Sequence, residues 1–514
     1  MSRVNKSLKN AKIGVFFFVI SIFVQFFTRK IFLEYLGDDF IGLASTLRSI
    51  LGFLNLIELG IGTAIGFTLY KPIFDKNYNE INKIIALLGI LYRKIGLIIL
   101  VIGIIISLFF PLFFPDVQFT FSLIYFAFYS FLISSLLGYF VNFHLALLDA
   151  EQKGYIIQGY FQTFNIIRLS LQALVSYYFQ SFYLWISLEL IFSVLYSITL
   201  RIIIKKHYSW LIINSKEKNK IIKEYPEVIK KIKQLFVHKI GSFVKDGTDN
   251  ILVYFFINLQ SVAFFGNYQL IFMKLTGLVK MVFSGTAAGI GNLVAENDKK
   301  NIEKVFWEMQ SLQFFIAGFF GLCIYYLLEP FIVLWIGTQY ILDKRVLTLM
   351  VAIFFIGQIR SPVEHFKNAY GLFSDTWAPA AEAILNLIIS YIFGKLWGIA
   401  GIMFGTFVSL IIIVLLWKPY FLYKNGFKSN VLKYWKGFIQ LLFVFSVSAI
   451  IVNLIFKDVS YEKISNFYLW FICALKFSSV IFIVYSLLLY ISIPSFRVFC
   501  LRIYSLLMSR FQKK

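Results

Sequence analysis

Apolar runs of membrane length recur along the whole chain, and they constrain the fold more than any other feature. Broken at clusters of Gly, Pro, Asn, Asp and Lys, the 514-residue sequence divides into about fourteen such runs. One helical crossing of a bilayer needs about 20 predominantly apolar residues. Since 59% of the chain is hydrophobic and only 15% is charged, the sequence predicts an all-α polytopic membrane protein with about fourteen transmembrane helices.

The placement of the basic residues sets the expected orientation. With the N-terminus inside, the predicted cytoplasmic segments hold 32 Lys and Arg, and the predicted outer segments hold five. Because basic residues concentrate in cytoplasmic loops, we expect both termini to be cytoplasmic. The same bias explains most of the net charge of +23, so nucleic acid is not an expected partner.

Local patterns recur in the two halves of the sequence. Asp75–Lys83 and Glu296–Lys304 are similar polar turns between apolar runs, and Asn165 and Asn386 occupy matching places in two later runs. Such repeats predict two pseudo-symmetric six-helix bundles, related by an axis along the membrane normal.

The predicted domain limits follow from this repeat and from a basic stretch between the halves. That stretch is either an amphipathic segment on anionic headgroups or a solvated connector. The predicted parts are an N-terminal bundle (1–204), a basic cytoplasmic linker (205–234), a C-terminal bundle (235–424), an appended helix pair (425–493) and a basic interfacial tail (494–514).

Twelve Lys and Arg fall within the apolar runs, where each charge costs on the order of 3 kcal/mol. Some can snorkel to the headgroups, and others can pair along one helix face, as Lys245 can with Asp249. Otherwise, such cations indicate a watery chamber for an anionic cargo. The candidate ligands for this anionic cargo are Arg48 and Lys274, as paired contributions of the two halves. The supporting candidates are Arg29, Arg168, Lys245, Lys280 and Arg360. Structural pairing between distant helices is the alternative.

Three embedded acids are candidates for ion coupling. Asp249, Glu58 and Glu364 could exchange a proton or a sodium ion during transport, although Glu58 could instead serve helix packing. Arg360, Glu364 and Lys367 also share one helix face, which allows salt bridges between them. The four histidines show no metal-binding spacing, and every outer connection is short, so an enzyme is not expected.

Several short motifs resemble those of Wzx-type polysaccharide flippases, over roughly residues 5–430. In the first half they are Gly42-Leu43, Ser49–Leu51, Glu58–Gly62, Leu69–Pro72 and Leu91–Lys94. In the second half they are Thr248–Leu252, Gly266–Tyr268 and Gly289–Leu293.

The resemblance implies membership of the multidrug/oligosaccharidyl-lipid/polysaccharide exporter (MOP) superfamily, which also holds drug and organic-cation antiporters and the lipid II flippase. It implies a MATE-like fold and a multi-pass protein of the bacterial inner membrane. The implied function is to flip undecaprenyl-pyrophosphate-linked oligosaccharides by alternating access, for surface polysaccharides such as the O-antigen of lipopolysaccharide. A drug or organic-cation antiporter is the alternative.

The same resemblance sets the expected ligands and partners. The candidate cations would bind the substrate pyrophosphate. Lipid-linked oligosaccharide, anionic membrane lipids and other polysaccharide assembly proteins are the expected partners. No cofactor is expected beyond a coupling ion, H⁺ or Na⁺.

Reporter fusions test the orientation. A fluorescent protein that folds only in the cytoplasm should be bright at either terminus, because the charge bias places both ends inside. The same reporter between Lys344 and Arg345, in a predicted outer loop, should be dark. Fluorescence at only one terminus would contradict the even number of crossings.

Overall fold

The computed structural model describes residues 3–55, 61–115, 117–151, 153–212, 218–229, 232, 247–283, 286–457 and 464–511. These residues form helices and connecting turns, without a β-strand among them. The chain divides into two compact units, Met1–Ala263 and Phe264–Lys514.

Polar side chains cap three of the described helices of the first unit. Thr120 accepts a hydrogen bond from the backbone N–H of Leu123, and Ser181 accepts one from that of Leu184. The helices are α1 (Arg3–Leu36), α2 (Asp38–Leu54), α3 (Ile61–Phe74), α4 (Tyr78–Leu108), α5 (Phe110–Phe113), α6 (Phe121–Phe140), α7 (Leu145–Ala150), α8 (Gly154–Phe179), α9 (Phe182–His207), α10 (Lys218–Glu224), α11 (Asp249–Phe256) and the start of α12 (Leu259–Phe283).

The second unit continues α12 and contains the longest helix of the described chain, which Asp298 caps. Its helices are α13 (Thr286–Ala295), α14 (Lys299–Trp335), α15 (Lys344–Ile359), α16 (Ser361–Ala369), α17 (Trp377–Trp397), α18 (Ile399–Ser409), α19 (Lys418–Leu422), α20 (Leu432–Phe456), α21 (Phe467–Ser492) and α22 (Pro494–Phe511). Two π-helical segments, Leu410–Trp417 and Tyr423–Phe427, flank α19.

Much of the helical surface is apolar and exposed. Eleven helical segments of the described residues are long and apolar enough to cross a bilayer. On α1, the rings of Phe16, Phe23 and Phe27 are largely exposed, which suits a lipid solvent and not water. The chain is a multi-pass membrane protein, and the predicted all-α polytopic class is confirmed.

Three of the fourteen predicted crossings are not among these eleven spans. The predicted second crossing comprises α2 and α3, each shorter than 18 residues, with residues 56–60 outside the description. The predicted fifth corresponds to α8, whose 26 residues include Arg168 and several amides and hydroxyls. The predicted seventh falls partly on residues 233–246, which are not described.

The repeated polar turn has the same backbone conformation and the same kind of helix cap in each unit. Lys76 and Asn297 both have a positive φ, 54° and 57°. The next residue in each case caps the following helix: Asn77 accepts from a backbone N–H of α4, and Asp298 from two of α14. These turns confirm the local similarity that the sequence predicts.

Close contact within the first unit joins α2 to the α11–α12 region. A Cβ at Gly42 would overlap the backbone carbonyl of Leu259, and Asn250 Nδ2 donates to Ser49 Oγ at 3.2 Å. Residues 249–263 therefore pack within the first unit, although the domain limits drawn from sequence assign them to the C-terminal bundle. Those limits stay a prediction.

The described part of the basic linker packs against α4. Tyr225 Oη donates to Glu80 Oε1 at 2.5 Å, and Lys83 Nζ lies 3.1 Å from Glu224 Oε2. Partial burial and the Glu80 carboxylate raise the pKa of Tyr225 above its usual range. Val228 of the same segment is also buried. The described part of the linker therefore packs on the first unit.

In the second unit, small residues allow helices to touch through their backbones. A Cβ at Gly401 would overlap the Phe393 carbonyl, so α17 and α18 form a tight hairpin. The appended pair packs on α14: Tyr485 Oη donates to the carbonyl of Phe314 at 2.9 Å, and its ring lies against Gly318.

Substitution of Gly401 tests this hairpin. We expect Gly401→Ala to lower the stability of the second unit by about 1–3 kcal/mol, because the added methyl has no space. The measurement is the midpoint of thermal unfolding in detergent. Gly357→Ala on α15 is the matched control, because its added Cβ would meet open space. Equal midpoints for the two variants would contradict the tight contact.

Candidate functional site

One carboxylate in the first unit holds two arginines from different helices. Glu189 lies on α9, between Leu188 and Leu190. Its Oε2 accepts a hydrogen bond from Arg48 Nη2 on α2 at 2.9 Å, and its Oε1 pairs with Arg168 Nη1 on α8. These three residues, the Glu189 cluster, carry two positive charges and one negative charge.

Amide side chains support the buried part of this cluster. Asn165 and Gln172 lie three residues before and four residues after Arg168, so they share its face of α8. Asn165 Oδ1 accepts from Arg168 Nη2 at 2.6 Å. Gln172 Nε2 donates to the carbonyl of Trp185 at 2.9 Å and lies 3.4 Å from Glu189 Oε2. Asn165 therefore holds the arginine of the Arg168–Glu189 pair, and Gln172 lies beside its carboxylate.

The two arginines differ in exposure. The Arg48 side chain is 46% exposed, whereas those of Arg168 and Glu189 are 18% and 12% exposed. The Arg48 guanidinium carbon lies 4.8 Å from the ring centre of Phe131 and 5.5 Å from that of Trp185. Such cation–π contacts stabilise the charge without occupying its N–H groups. In the Glu189 cluster, the Arg48 side chain is therefore accessible, whereas that of Arg168 is largely buried.

The other predicted residues of the first unit lie elsewhere. Arg29 Nη2 donates to the backbone carbonyl of Ala263 at 3.0 Å. Asp249 is buried at the start of α11. Glu58 and Lys245 lie outside the described residues.

In the second unit, the charges around α16 find partners on other segments. Glu364 pairs with Lys418 at the start of α19. Lys367 Nζ lies 2.6 Å from each carboxylate oxygen of Asp375, in the loop after α16, and both side chains are buried, at 8% and 1% exposure. Arg360 is half-buried at the end of α15. The Glu364–Lys418 and Lys367–Asp375 pairs therefore join α16 to other segments, although the sequence groups Glu364 and Lys367 with Arg360 on one helix face.

The two predicted lysines of α12 lie in the second unit. Lys274 is half-buried and Lys280 is exposed. Arg48 and Lys274 belong to different units, so their pairing stays a prediction. In the described part of the chain, no three His, Cys, Asp or Glu side chains are grouped to hold a metal ion.

The second unit also contains a pocket of about 660 Å³ between α14, α15, the segment that follows α18, and α20. Its walls are mainly aliphatic and aromatic, with Phe355 and Phe445 among them. Tyr326 and Asn453 bring polar atoms to it and bond to each other at 3.2 Å. The pocket suits an apolar chain more than a charged group.

Comparison with known proteins identifies the fold. No protein-family model matches the chain, and no curated protein sequence matches it. Among solved structures, the lipid II flippase MurJ in an inward closed conformation is 16% identical with a TM-score of 0.64, over 94% of this chain and 98% of that chain. An inward-facing multidrug resistance MATE family transporter of the MOP superfamily is 13% identical with a TM-score of 0.59, over 78% of this chain and 94% of that chain.

A third structure agrees with these two. The Vibrio cholerae MATE transporter VcmN is 14% identical with a TM-score of 0.52, over 83% of this chain and 99% of that chain. This chain has the MOP-superfamily fold. The MATE-like fold predicted from the sequence is thereby confirmed, whereas Wzx-type specificity stays a prediction, because identities this low carry the fold alone.

Within this MOP fold, sequence analysis missed the residue that joins two of its candidates. Arg48 and Arg168 have no carboxylate three or four residues away in the sequence, and both pair with Glu189, 141 and 21 residues distant. A signal was present: Glu189 is a lone acid in the apolar run of α9, and an embedded charge needs a partner.

The buried pair of the second unit gives a stability prediction. We expect Asp375→Asn to lower stability by about 3–5 kcal/mol, because it leaves the Lys367 charge buried without its carboxylate. The double variant Lys367→Met, Asp375→Leu should recover most of the loss, because it removes both charges together. Thermal unfolding in detergent measures both. If the double variant were no more stable than the single one, the ion pair would not be the cause.

Proposed function

We propose that this chain is a flippase that moves undecaprenyl-pyrophosphate-linked oligosaccharide across the bacterial inner membrane by alternating access. The observation that carries the proposal is the Glu189 cluster on the MOP fold. Its two arginines are only half neutralised by one carboxylate, and one of them is open.

The chemistry of the cluster favours a phosphate ligand. A pyrophosphate diester carries two negative charges, and a guanidinium offers five N–H donors in a fork that matches phosphate oxygens. Arg48 gives one nitrogen to Glu189 and keeps nearly half of its side chain open. A cation cargo, as expected of a drug antiporter, would be repelled by the same net positive charge.

The proposal also includes the remaining candidate cations. No contact described above distinguishes them as phosphate ligands. Lys274, Lys280 and Arg360 would add positive charge from the second unit, and Arg29 from the first. Lys245 stays a candidate from the sequence alone.

A lipid-borne cargo also needs apolar surface for its tail. The pocket of about 660 Å³ in the second unit is mainly apolar, which supports a substrate that carries a long hydrocarbon chain. The glycan itself is not specified by these residues.

Ion coupling is part of the proposal. We assign the exchange of H⁺ or Na⁺ to Asp249 and Glu364, with Glu58 as a further candidate. Glu364 is held by Lys418, so binding of an ion at this carboxylate would compete with that pair. A flipping rate in vesicles that ignored both pH and sodium gradients would remove the coupling from the proposal.

Deletion and complementation in the native bacterium test the function. Loss of the chain should cause lipid-linked oligosaccharide to accumulate on the cytoplasmic side and should stop export of the surface glycan. Arg48→Ala should lower export by about tenfold or more, because it removes charge-assisted hydrogen bonds worth about 1.5–3 kcal/mol each. Lys274→Ala should act in the same direction. Both effects are measured by mass spectrometry of the lipid-linked pool and by quantifying surface glycan.

Lys395→Ala is the control, because Lys395 is exposed and bonds to Tyr391 of its own helix. All variants must reach the membrane in equal amounts. Full export by Arg48→Ala would remove that residue from the site. A deletion strain with intact export and no accumulated intermediate would overturn the flippase, and export of organic cations by the purified protein would favour the antiporter.

A further inference from the structure

We infer that a pocket at one end of the first unit is a sugar-binding subsite, with the Asp39 carboxylate as its hydrogen-bond acceptor and the Phe255 ring as its stacking surface. The pocket has a volume of about 350 Å³ and lies between the start of α2, the loop after α5 and the turn between α11 and α12. The inference rests on the proposed function, because it takes the glycan of the lipid-linked cargo as the ligand.

The position of the pocket suits a glycan that has crossed the membrane. Three connections meet there, around residues 39, 117 and 258. With the N-terminus inside, the sequence predicts all three on the outer side of the membrane. The glycan of a flipped cargo arrives on that side, whereas its lipid tail stays in the bilayer.

The polar groups of the pocket are complementary to hydroxyl groups. Asp39 is half-buried, and among the described residues no hydrogen bond or ion pair occupies its carboxylate. Asn258 Oδ1 accepts from the backbone N–H of Ser261 at 2.8 Å, which leaves its Nδ2 group to donate. Gln118 is exposed and brings a second amide. Because a hydroxyl both donates and accepts, the carboxylate and the amides offer a partner for each role.

Aromatic rings also line the pocket, and contacts within the first unit hold them in place. Tyr254 Oη donates to the carbonyl of Phe113 at 2.7 Å, which joins α11 to the end of α5. The Phe255 ring lies 5.9 Å from that of Phe113, at an interplanar angle of 88°, and it is exposed. The face of an aromatic ring is partly negative, so it attracts the partly positive C–H groups on the face of a sugar ring.

The charge and size of the pocket argue against other ligands. Asp39 is the one acid among the described residues that line it, and no Lys or Arg is among them. Phosphate would therefore be repelled, so the pyrophosphate belongs at the Glu189 cluster. A calcium ion needs six to eight oxygen ligands, usually from several carboxylates. A pocket of this volume is small for a ligand site and suits about one or two sugar rings.

An organic ammonium is the strongest rival ligand, since a carboxylate beside aromatic rings also suits a cation. The two amides favour a ligand that is rich in hydroxyl groups, because an ammonium would leave their N–H groups without an acceptor. The experiment below therefore includes an ammonium probe.

Titration by saturation-transfer NMR tests the subsite. The purified full chain is prepared in a detergent without a sugar headgroup, and the probe is the lipid-free repeating oligosaccharide of the native bacterium's surface glycan. The wild type should bind this probe. Asp39→Asn should weaken binding at least about fivefold, because it removes charge-assisted hydrogen bonds. Phe255→Ala should weaken it at least about threefold, because it removes the stacking face.

Asp38→Asn is the matched control, because it removes the same charge one residue away and Asp38 does not line the pocket. Its affinity for the oligosaccharide should equal that of the wild type. Affinity for inorganic pyrophosphate, measured by calorimetry on the same samples, should not fall in Asp39→Asn, whereas loss of structure would lower it too. If Asp39→Asn does not fold, Gln118→Ala changes an exposed loop residue and should also weaken oligosaccharide binding.

The outcomes separate the subsite from the proposed function. A wild type that does not bind the oligosaccharide, or an Asp39→Asn variant that binds it equally well, would overturn the sugar subsite and leave the flippase standing. An unchanged affinity in Phe255→Ala would overturn the stacking role. Oligosaccharide binding without pyrophosphate binding would count against the phosphate site alone. Binding of tetramethylammonium that depends on Asp39, without oligosaccharide binding, would identify an ammonium site instead.

Discussion

A charge among apolar side chains must meet an opposite charge, and this constraint organises both units. Removing one member of a buried ion pair costs about 3–5 kcal/mol, so such pairs dictate which helices are neighbours. Glu189 ties α9 to α2 and α8 through Arg48 and Arg168. In the second unit, Lys367 ties α16 to the following loop through Asp375. The Glu189 cluster carries a net charge of +1, whereas the Lys367–Asp375 pair is neutral.

Between the charged pairs, close backbone contact holds the helices together. Lipid is as apolar as leucine, so membrane helices associate through van der Waals packing and interhelical hydrogen bonds. Gly405 places α18 against Ser390 of α17, and Asn386 Nδ2 donates to Thr406 Oγ1 across the same pair at 2.7 Å. Close backbone contact and a buried hydrogen bond thus join α17 and α18 along the same interface.

The sequence was sufficient for properties that depend on local spacing. Apolar runs predicted the helices, and the turn at Lys76 and Asn297 recurs as the repeat suggested. It was insufficient where partners are distant: spacing rules detect carboxylates on the same helix, whereas Glu189 reaches Arg48 from 141 residues away. The second predicted crossing, which covers both α2 and α3, stays a prediction, because residues 56–60 between them lie outside the description.

The packing of residues 249–263 on the first unit has a consequence for the repeat itself. The predicted domain limits place them in the C-terminal bundle, yet Asn250 bonds to Ser49, and Leu259 covers Gly42. The predicted start of the C-terminal bundle, at residue 235, therefore differs from the end of the compact first unit, at Ala263. A fragment that ended within the linker would therefore lack Leu259, whose carbonyl lies against Gly42 of α2.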